Sequence, residues 1–245
     1  MHSAKLREIF WKPLDNPLAV PQPMVAGSGL LRDRDGLWAV GDDLHHLIHI
    51  PWGEGVAEGH RMFPGDLPVD FAARKAVKPD TEAFFEITRR GEETVWLAMP
   101  SGSKPNRVKG AVIRKSSRLE INERDFSPLY EVLSSKIKDL NIEGATLWKE
   151  QLVFFQRGNG KRRMNALITV KLKDFIAGFK GGEIDPEAFR IDQVDLGEWD
   201  HAAITFTDGF AHRGNLIFAA AAERTDSTYE DGEAVGSVVG IWDGV

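Results

Sequence analysis

Glu143-Gly-Ala-Thr-Leu-Trp148, a tight turn at Lys149-Glu150, Gln151-Leu-Val-Phe-Phe-Gln156 and, beyond a polar loop, Asn165-Ala-Leu-Ile-Thr-Val170 form the stretch that decides the fold. It reads as an acidic start, a strand, a reversal, a second apolar strand, a loop and a third strand. The order recurs three times. Ser28-Gly-Leu-Leu-Arg-Asp33 precedes Gly36-Leu-Trp-Ala-Val-Gly-Asp-Asp43 and His46-Leu-Ile-His-Ile50. Glu82-Ala-Phe-Phe-Glu-Ile-Thr88 precedes Thr94-Val-Trp-Leu-Ala-Met-Pro-Ser101 and Gly110-Ala-Val-Ile113. Asp208-Gly-Phe-Ala211 precedes Asn215-Leu-Ile-Phe-Ala-Ala-Ala-Ala-Glu223 and Ser237-Val-Val-Gly-Ile-Trp242.

The repeat length is roughly 55–65 residues, a propeller period lengthened by loops. The second strands are apolar on both faces, as the middle of a blade between two neighbours requires. Fourth strands are expected around Arg61–Phe63, Ser117–Asn122 and Phe189–Leu196. The last repeat has none of its own, and Leu6 to Trp11 could supply it. The fold class is therefore all-β, a propeller with four recognisable blades in one domain over residues 1–245. Helix is expected at 127–137, with Ser127 as N-cap and Pro128 behind it, lying over a blade junction. Residues 69–77 are a weaker helix.

Composition narrows the function classes. Of 245 residues, 31 are Lys or Arg and 37 are Asp or Glu, giving a net charge of −6. Nucleic acid is not an expected partner, since phosphate binding needs a basic surface. Cysteine is absent, which excludes disulfides, thiolate nucleophiles and Cys-ligated zinc. No apolar run approaches a membrane span, and the start lacks a secretory h-region, so a cytoplasmic protein without a membrane partner is expected.

The meander sets the expected site. The end of a second strand returns beside the start of the first, near the channel. Strand-one starts carry Ser28, Glu82, Glu143 and Asp208, with Asp80 and Asn141 just before two of them. Strand-two ends carry Asp42, Asp43, Ser101 to Arg107, Gln156 to Asn159 and Glu223 to Asp226. A cavity so lined suits a hard cation such as calcium, with Asp42, Asp43, Glu82, Glu143 and Asp208 as candidate metal ligands. Arg107, Arg157, Asn159 and Glu223 are the candidate ligand-binding residues, the two arginines as donors to a small anion. The competing explanation is structural: a wet channel is polar in any propeller, and its acids can cap neighbouring blades. Catalytic residues are not identified, and whether the protein is an enzyme stays open.

Other patterns are weaker. Gly27-Ser28-Gly29 lacks the third glycine and helix of a dinucleotide loop. Ser101 and Lys104 match S-x-x-K in a loop. His45, His46 and His49 read as a surface strand rather than a zinc site. Trp11, Trp38, Trp96, Trp148 and Trp242 read as core.

The segments together resemble an uncharacterised family of bacterial β-propellers, loosely similar to esterase-like phytase and SdiA-regulated propellers. Gly27-Ser-Gly-Leu30, Asp42-Asp43, Phe63-Pro-Gly-Asp-Leu-Pro68, Ala72-Ala-Arg-Lys-Ala76, Lys78-Pro-Asp80 and Gly102-Ser-Lys-Pro-Asn-Arg107 carry the likeness. So do Leu140-Asn-Ile-Glu-Gly144, Gln156-Arg-Gly-Asn159, Phe206-Thr-Asp208, Ala220-Ala-Ala-Glu223, Tyr229-Glu-Asp-Gly232 and Gly236-Ser237. The resemblance implies a propeller and transfers no catalytic residue. Such proteins continue into a further, fifth blade, whereas this chain stops at Val245; either a blade is missing or the ring closes with fewer. Two functions follow as expectations. One is a pocket at the channel mouth that binds or hydrolyses a small anionic molecule, with calcium or another hard divalent cation. The alternative is a non-enzymatic scaffold for a protein partner.

Overall fold

The computed structural model describes residues 8–16, 18–53, 55–88, 91, 93–181, 183–224 and 232–242. Blade one contains β1 (Phe10–Pro13), β2 (Gln22–Pro23), β3 (Gly27–Arg32), β4 (Gly36–Gly41), β5 (His46–Pro51) and β6 (Ala57–Arg61). Helix α1 (Phe71–Val77) leads into blade two, formed by β7 (Thr81–Ile87), β8 (Val95–Pro100), β9 (Lys109–Lys115) and β10 (Leu119–Asp125). Helix α2 (Ser127–Lys136) precedes blade three, with β11 (Ile142–Trp148), β12 (Gln151–Gln156) and β13 (Asn165–Lys171). Helix α3 (Leu172–Phe179) and a 3₁₀ turn at Pro186–Ala188 lead to its outer strand β14 (Arg190–Val194). Blade four has β15 (Glu198–Trp199), β16 (Ala202–His212), β17 (Asn215–Arg224) and β18 (Glu233–Trp242). The protein is a four-bladed β-propeller: β3 packs on β7, β7 on β11 and β11 on β16 around the ring.

Strand periodicity explains the core. In β12, Phe154 faces blade two with Leu97, Met99 and helix α2, while Val153 and Phe155 face Phe206 and Leu216 of blade four. Both phenylalanines are fully buried, each worth about 1.5–3 kcal/mol of apolar transfer. Between blades one and two, Trp38, Val40 and Leu47 meet Phe84, Trp96 and Ile113. Trp148 and Trp242 pack on the third junction.

Several expectations change. Phe10–Pro13 does not complete blade four. It pairs in parallel with β6 on the outer side of the blade one sheet, with Trp11 opposite Ala57; Leu6 lies outside the described residues. Blade four gains its fourth strand on the inner side, where β15 pairs with Ala202 and Ala203. Among the described residues there are three short helices, two of them at the expected places and α3 in addition. The N-cap of α2 is Phe126, which makes no side-chain cap; Ser127 is the first helical residue, and the Asp125 carboxylate accepts from its amide at 2.8 Å. The weaker helix starts at Phe71, capped by Asp70, whose carboxylate accepts from Ala73 N at 2.8 Å. Helix α2 does cover the junction of blades two and three, through Leu129, Tyr130 and Leu133. His46 is buried beside Trp11, with Asp15 at 3.7 Å, rather than on a surface strand. No helix among the described residues is long and apolar enough to cross a membrane.

Candidate functional site

One irregularity recurs in every inner strand, at the start of β3, β7 and β11 and in the middle of β16. The pairing register shifts between Gly27 and Gly29, Thr81 and Ala83, Ile142 and Gly144, and Phe206 and Asp208. The bulged residues are therefore Ser28, Glu82, Glu143 and Thr207. A bulge leaves one residue outside the ladder and re-aims its side chain. The sequence reading matched Asp208 with Glu82 and Glu143; the structure puts Thr207 at that position and Asp208 one residue further along.

The same end of the ring is stitched by backbone hydrogen bonds between blades. Asp80 N donates to the Asp42 carbonyl at 2.8 Å, and Ile142 N donates to the Ser101 carbonyl at 2.8 Å. Asp80 holds φ at 59°, a left-handed backbone that aspartate tolerates better than most residues. Its carboxylate is fully engaged. Arg107 Nη1 donates at 2.8 Å, Lys78 Nζ lies at 2.9 Å, and the Ser101 hydroxyl donates as well. Lys78 also donates to Asp42.

Glu82 lies beside this group. One carboxylate oxygen from each of Asp42, Asp80 and Glu82 falls within 4.8 Å of the others. Burial, then the neighbouring Glu143, Asp80 and Asp42, push the Glu82 carboxyl well above its usual range, against the pull of Lys78. For Lys78, burial disfavours the charge, but Asp80 and Asp42 outweigh it and hold the ammonium above its ordinary value.

Glu143 begins a second half. It accepts from Asn141 Nδ2 at 2.7 Å and Arg157 Nη1 at 3.3 Å. Arg157 Nη2 reaches Glu223 at 2.7 Å, and Asn141 also donates to Asn159 Oδ1 at 3.3 Å. Burial lifts the Glu143 carboxyl to about 7 although Arg157 pulls it down. Asp208 is lifted to about 7 by burial, with Glu143 adding to the rise and the Gly209 amide opposing it. Burial and Asp42 also raise Asp43, but Asp43 turns toward Arg74 of α1, at 3.6 Å, and is outside the triad.

The expected residues thus converge: Asp42, Glu82, Glu143, Arg107, Arg157, Asn159, Asp208 and Glu223 belong to one connected network. Their roles differ from the expectation in one respect. Arg107 and Arg157 are engaged by carboxylates, so neither stands as a free anion clamp; in this network Arg107 Nη2, Asp42 Oδ1 and Glu223 Oε2 are buried without a hydrogen bond among the described residues. Lys78 and Thr207 were not among the expected site residues; Asp80, Ser101 and Asn141 were named as strand-end positions but not as ligands. Lys78 follows α1, and no strand periodicity points to it. Asp226 lies outside the described residues.

A second group was also missed. His49, Glu58 and His60 each bring a ligand atom within 4.8 Å of the others. They lie on β5 and β6, where His49 pairs with Glu58 and Leu47 with His60. The signal was alternation across two strands, whereas the cluster His45, His46 and His49 drew the eye to one.

No curated protein matches the chain. The description of the family of unknown function DUF6929 matches residues 23–245, spanning all four blades and the whole carboxylate network. The chain belongs to this family of unknown function, DUF6929.

Proposed function

We propose that the channel end is a binding site for a hard divalent cation of the calcium class, held by Asp42, Asp80 and Glu82 with Glu143 alongside. The observation that carries this reading is the triad of carboxylate oxygens within 4.8 Å. Two oxygens on opposite sides of a calcium ion bound at about 2.4 Å are about 4.8 Å apart. The network holds six acids, Asp42, Asp80, Glu82, Glu143, Asp208 and Glu223, against three cations, Lys78, Arg107 and Arg157. A divalent ion would offset that excess.

Lys78 is the internal competitor, because its ammonium occupies the space between Asp42 and Asp80. The reading therefore makes opposite predictions for two variants. In calorimetric titration with calcium chloride, Glu82→Gln weakens binding about tenfold or more, and Lys78→Met strengthens it. If wild type takes up no calcium, or Glu82→Gln binds as well as wild type, the acids serve to hold Lys78 and tie the blades.

A small anion then enters through the open positions of the cation rather than through Arg107 and Arg157. Hydrolysis is an extension of this reading, in line with the resemblance to esterase-like phytase propellers: the ion polarises a phosphoryl or carbonyl oxygen. Calcium-dependent turnover of a simple phosphate ester, lost in Glu82→Gln, is its measure. The cysteine-free, acidic composition accords with a cytoplasmic setting.

The scaffold reading is favoured by one observation. On blade four, the sheet face turned away from blade three exposes Phe210 by 53%, Val239 by 78% and Ile241 by 67%. Contiguous exposed apolar surface of this kind marks interaction sites. A calcium-independent protein complex, lost in V239K/I241K, would favour it.

A further inference from the structure

The rim of blade one carries the donor set that the channel lacks. His49 and His60 stand on adjacent antiparallel strands, with Glu58 directly opposite His49 and two residues before His60 on the same face. Trp38 fixes the two imidazoles from below. It stacks on His49 with ring centroids 4.3 Å apart and lies 5.3 Å from His60. The Nε2 atoms of both histidines are shielded from solvent and make no hydrogen bond among the described residues. Buried polar atoms normally find partners, and one ring nitrogen of each histidine lies within 4.8 Å of a Glu58 carboxylate oxygen, an arrangement that suits a shared ligand.

Asp35, just before β4, completes the surroundings. Its Oδ1 is 3.6 Å from His49 Nε2. That is too long for a hydrogen bond. It is close to the edge of a tetrahedral zinc site, about 3.3 Å for bonds near 2.0 Å. The nearby Lys115 ammonium is shared by Asp33 and by both oxygens of Asp35, at 2.8 Å and 2.7 Å, so a metal on Asp35 Oδ1 would displace one of its contacts.

We propose that His49, Glu58 and His60, with Asp35 as a fourth oxygen donor, form a binding site for a zinc-class transition-metal ion at the rim of blade one. Two imidazoles and carboxylates suit zinc, whereas the all-oxygen channel set suits calcium. The two sites lie beyond opposite ends of β4, since Asp35 precedes that strand and Asp42 follows it.

The test is titration of metal-stripped protein with Zn²⁺ and Co²⁺, followed by calorimetry and by the visible d–d absorption of bound cobalt. Wild type is expected to bind one ion at this site with a tetrahedral cobalt spectrum. His60→Ala and Glu58→Gln should each weaken binding more than about tenfold, because even outer-sphere partners of a metal cost that much. Glu58 is exposed, so Glu58→Gln keeps the test valid should His60→Ala fail to fold. Glu82→Gln should leave zinc binding at the rim unchanged, which separates this outcome from that of the calcium titration. Absence of a saturable site, or equal affinity in wild type and Glu58→Gln, would overturn the proposal.

Discussion

At the scale of single residues, the carboxylate network is arranged around one extra residue per inner strand. Sequence spacing placed Glu82 and Glu143 correctly because both follow a strand entry by the same count. It misplaced the fourth position because Asp208 is acidic and Thr207 is not, and a bulge is invisible to composition. The residue after the bulge carries a different demand. A Cβ on Gly144 would sit 2.6 Å from Asp208 Oδ1 and 2.9 Å from the Gly209 backbone nitrogen. Blade four's inner strand approaches blade three here more closely than any side chain allows. Gly144→Ala should therefore destabilise the protein by about 1–3 kcal/mol, the usual cost of overpacking. A chemical denaturation midpoint unchanged from wild type would mean the strands can part at no cost.

At the scale of elements, strands were legible and short helices less so. The strands announced themselves by apolar runs between turns, and α2 by Pro128 and its helical spacing. Helix α3 was not legible because it continues directly from β13, has no capping side chain and contains Gly178. Tertiary packing holds it instead. Phe175 and Phe179 stack with centroids 5.6 Å apart, Phe154 lies 6.3 Å from Phe175, and Arg124 sits over Phe179 at 4.5 Å. Phe175→Ala should cost about 3–5 kcal/mol as a large-to-small change in the core, read as a fall in the denaturation midpoint. Helix α2 is tied more locally: the buried Tyr130 hydroxyl donates to the Pro100 carbonyl, at the end of the strand that leads to Ser101. Tyr130→Phe should cost about 1 kcal/mol, and a wild-type midpoint would assign that hydroxyl no structural role.

At the scale of the whole molecule, the N-terminal segment and the channel charge decide global behaviour. The N-terminal strand seals blade one: Trp11 is 3% exposed and packs with Ala39, Ile48 and Ala57. Gly59 leaves room for its ring, since a Cβ there would lie 2.5 Å from the indole. Removal of the first 14 residues should lower the melting temperature by exposing that cluster. Sequence reading saw the need for an outer strand but sent it to the wrong blade, because parallel pairing with β6 requires only proximity and leaves no hairpin turn to recognise.

The acids of the network come from all four blades, so their titration is felt by the entire ring. Glu143 and Asp208 titrate near 7 in the folded protein and near 4.5 and 3.8 when unfolded. Between these values the folded state holds more protons than the unfolded one. Stability from these groups is therefore greatest at the acidic side of that window and falls as pH rises through about 7. His46 opposes the trend at lower pH. Burial lowers it from 6.5 to about 4, so its contribution is complete above 6.5 and is lost as pH falls toward 4. From about pH 6.5 to about pH 8 the loss from the acids stands without that opposition, about 1–2 kcal/mol in order of magnitude. Glu143→Gln carries no titrating proton and should flatten the decline. Calcium, which needs the ionised carboxylates, should raise the melting temperature more at about pH 8 than at about pH 6. A melting temperature that is flat across this range in wild type would mean the channel carboxylates are ionised throughout, and the calcium dependence on pH would vanish with it.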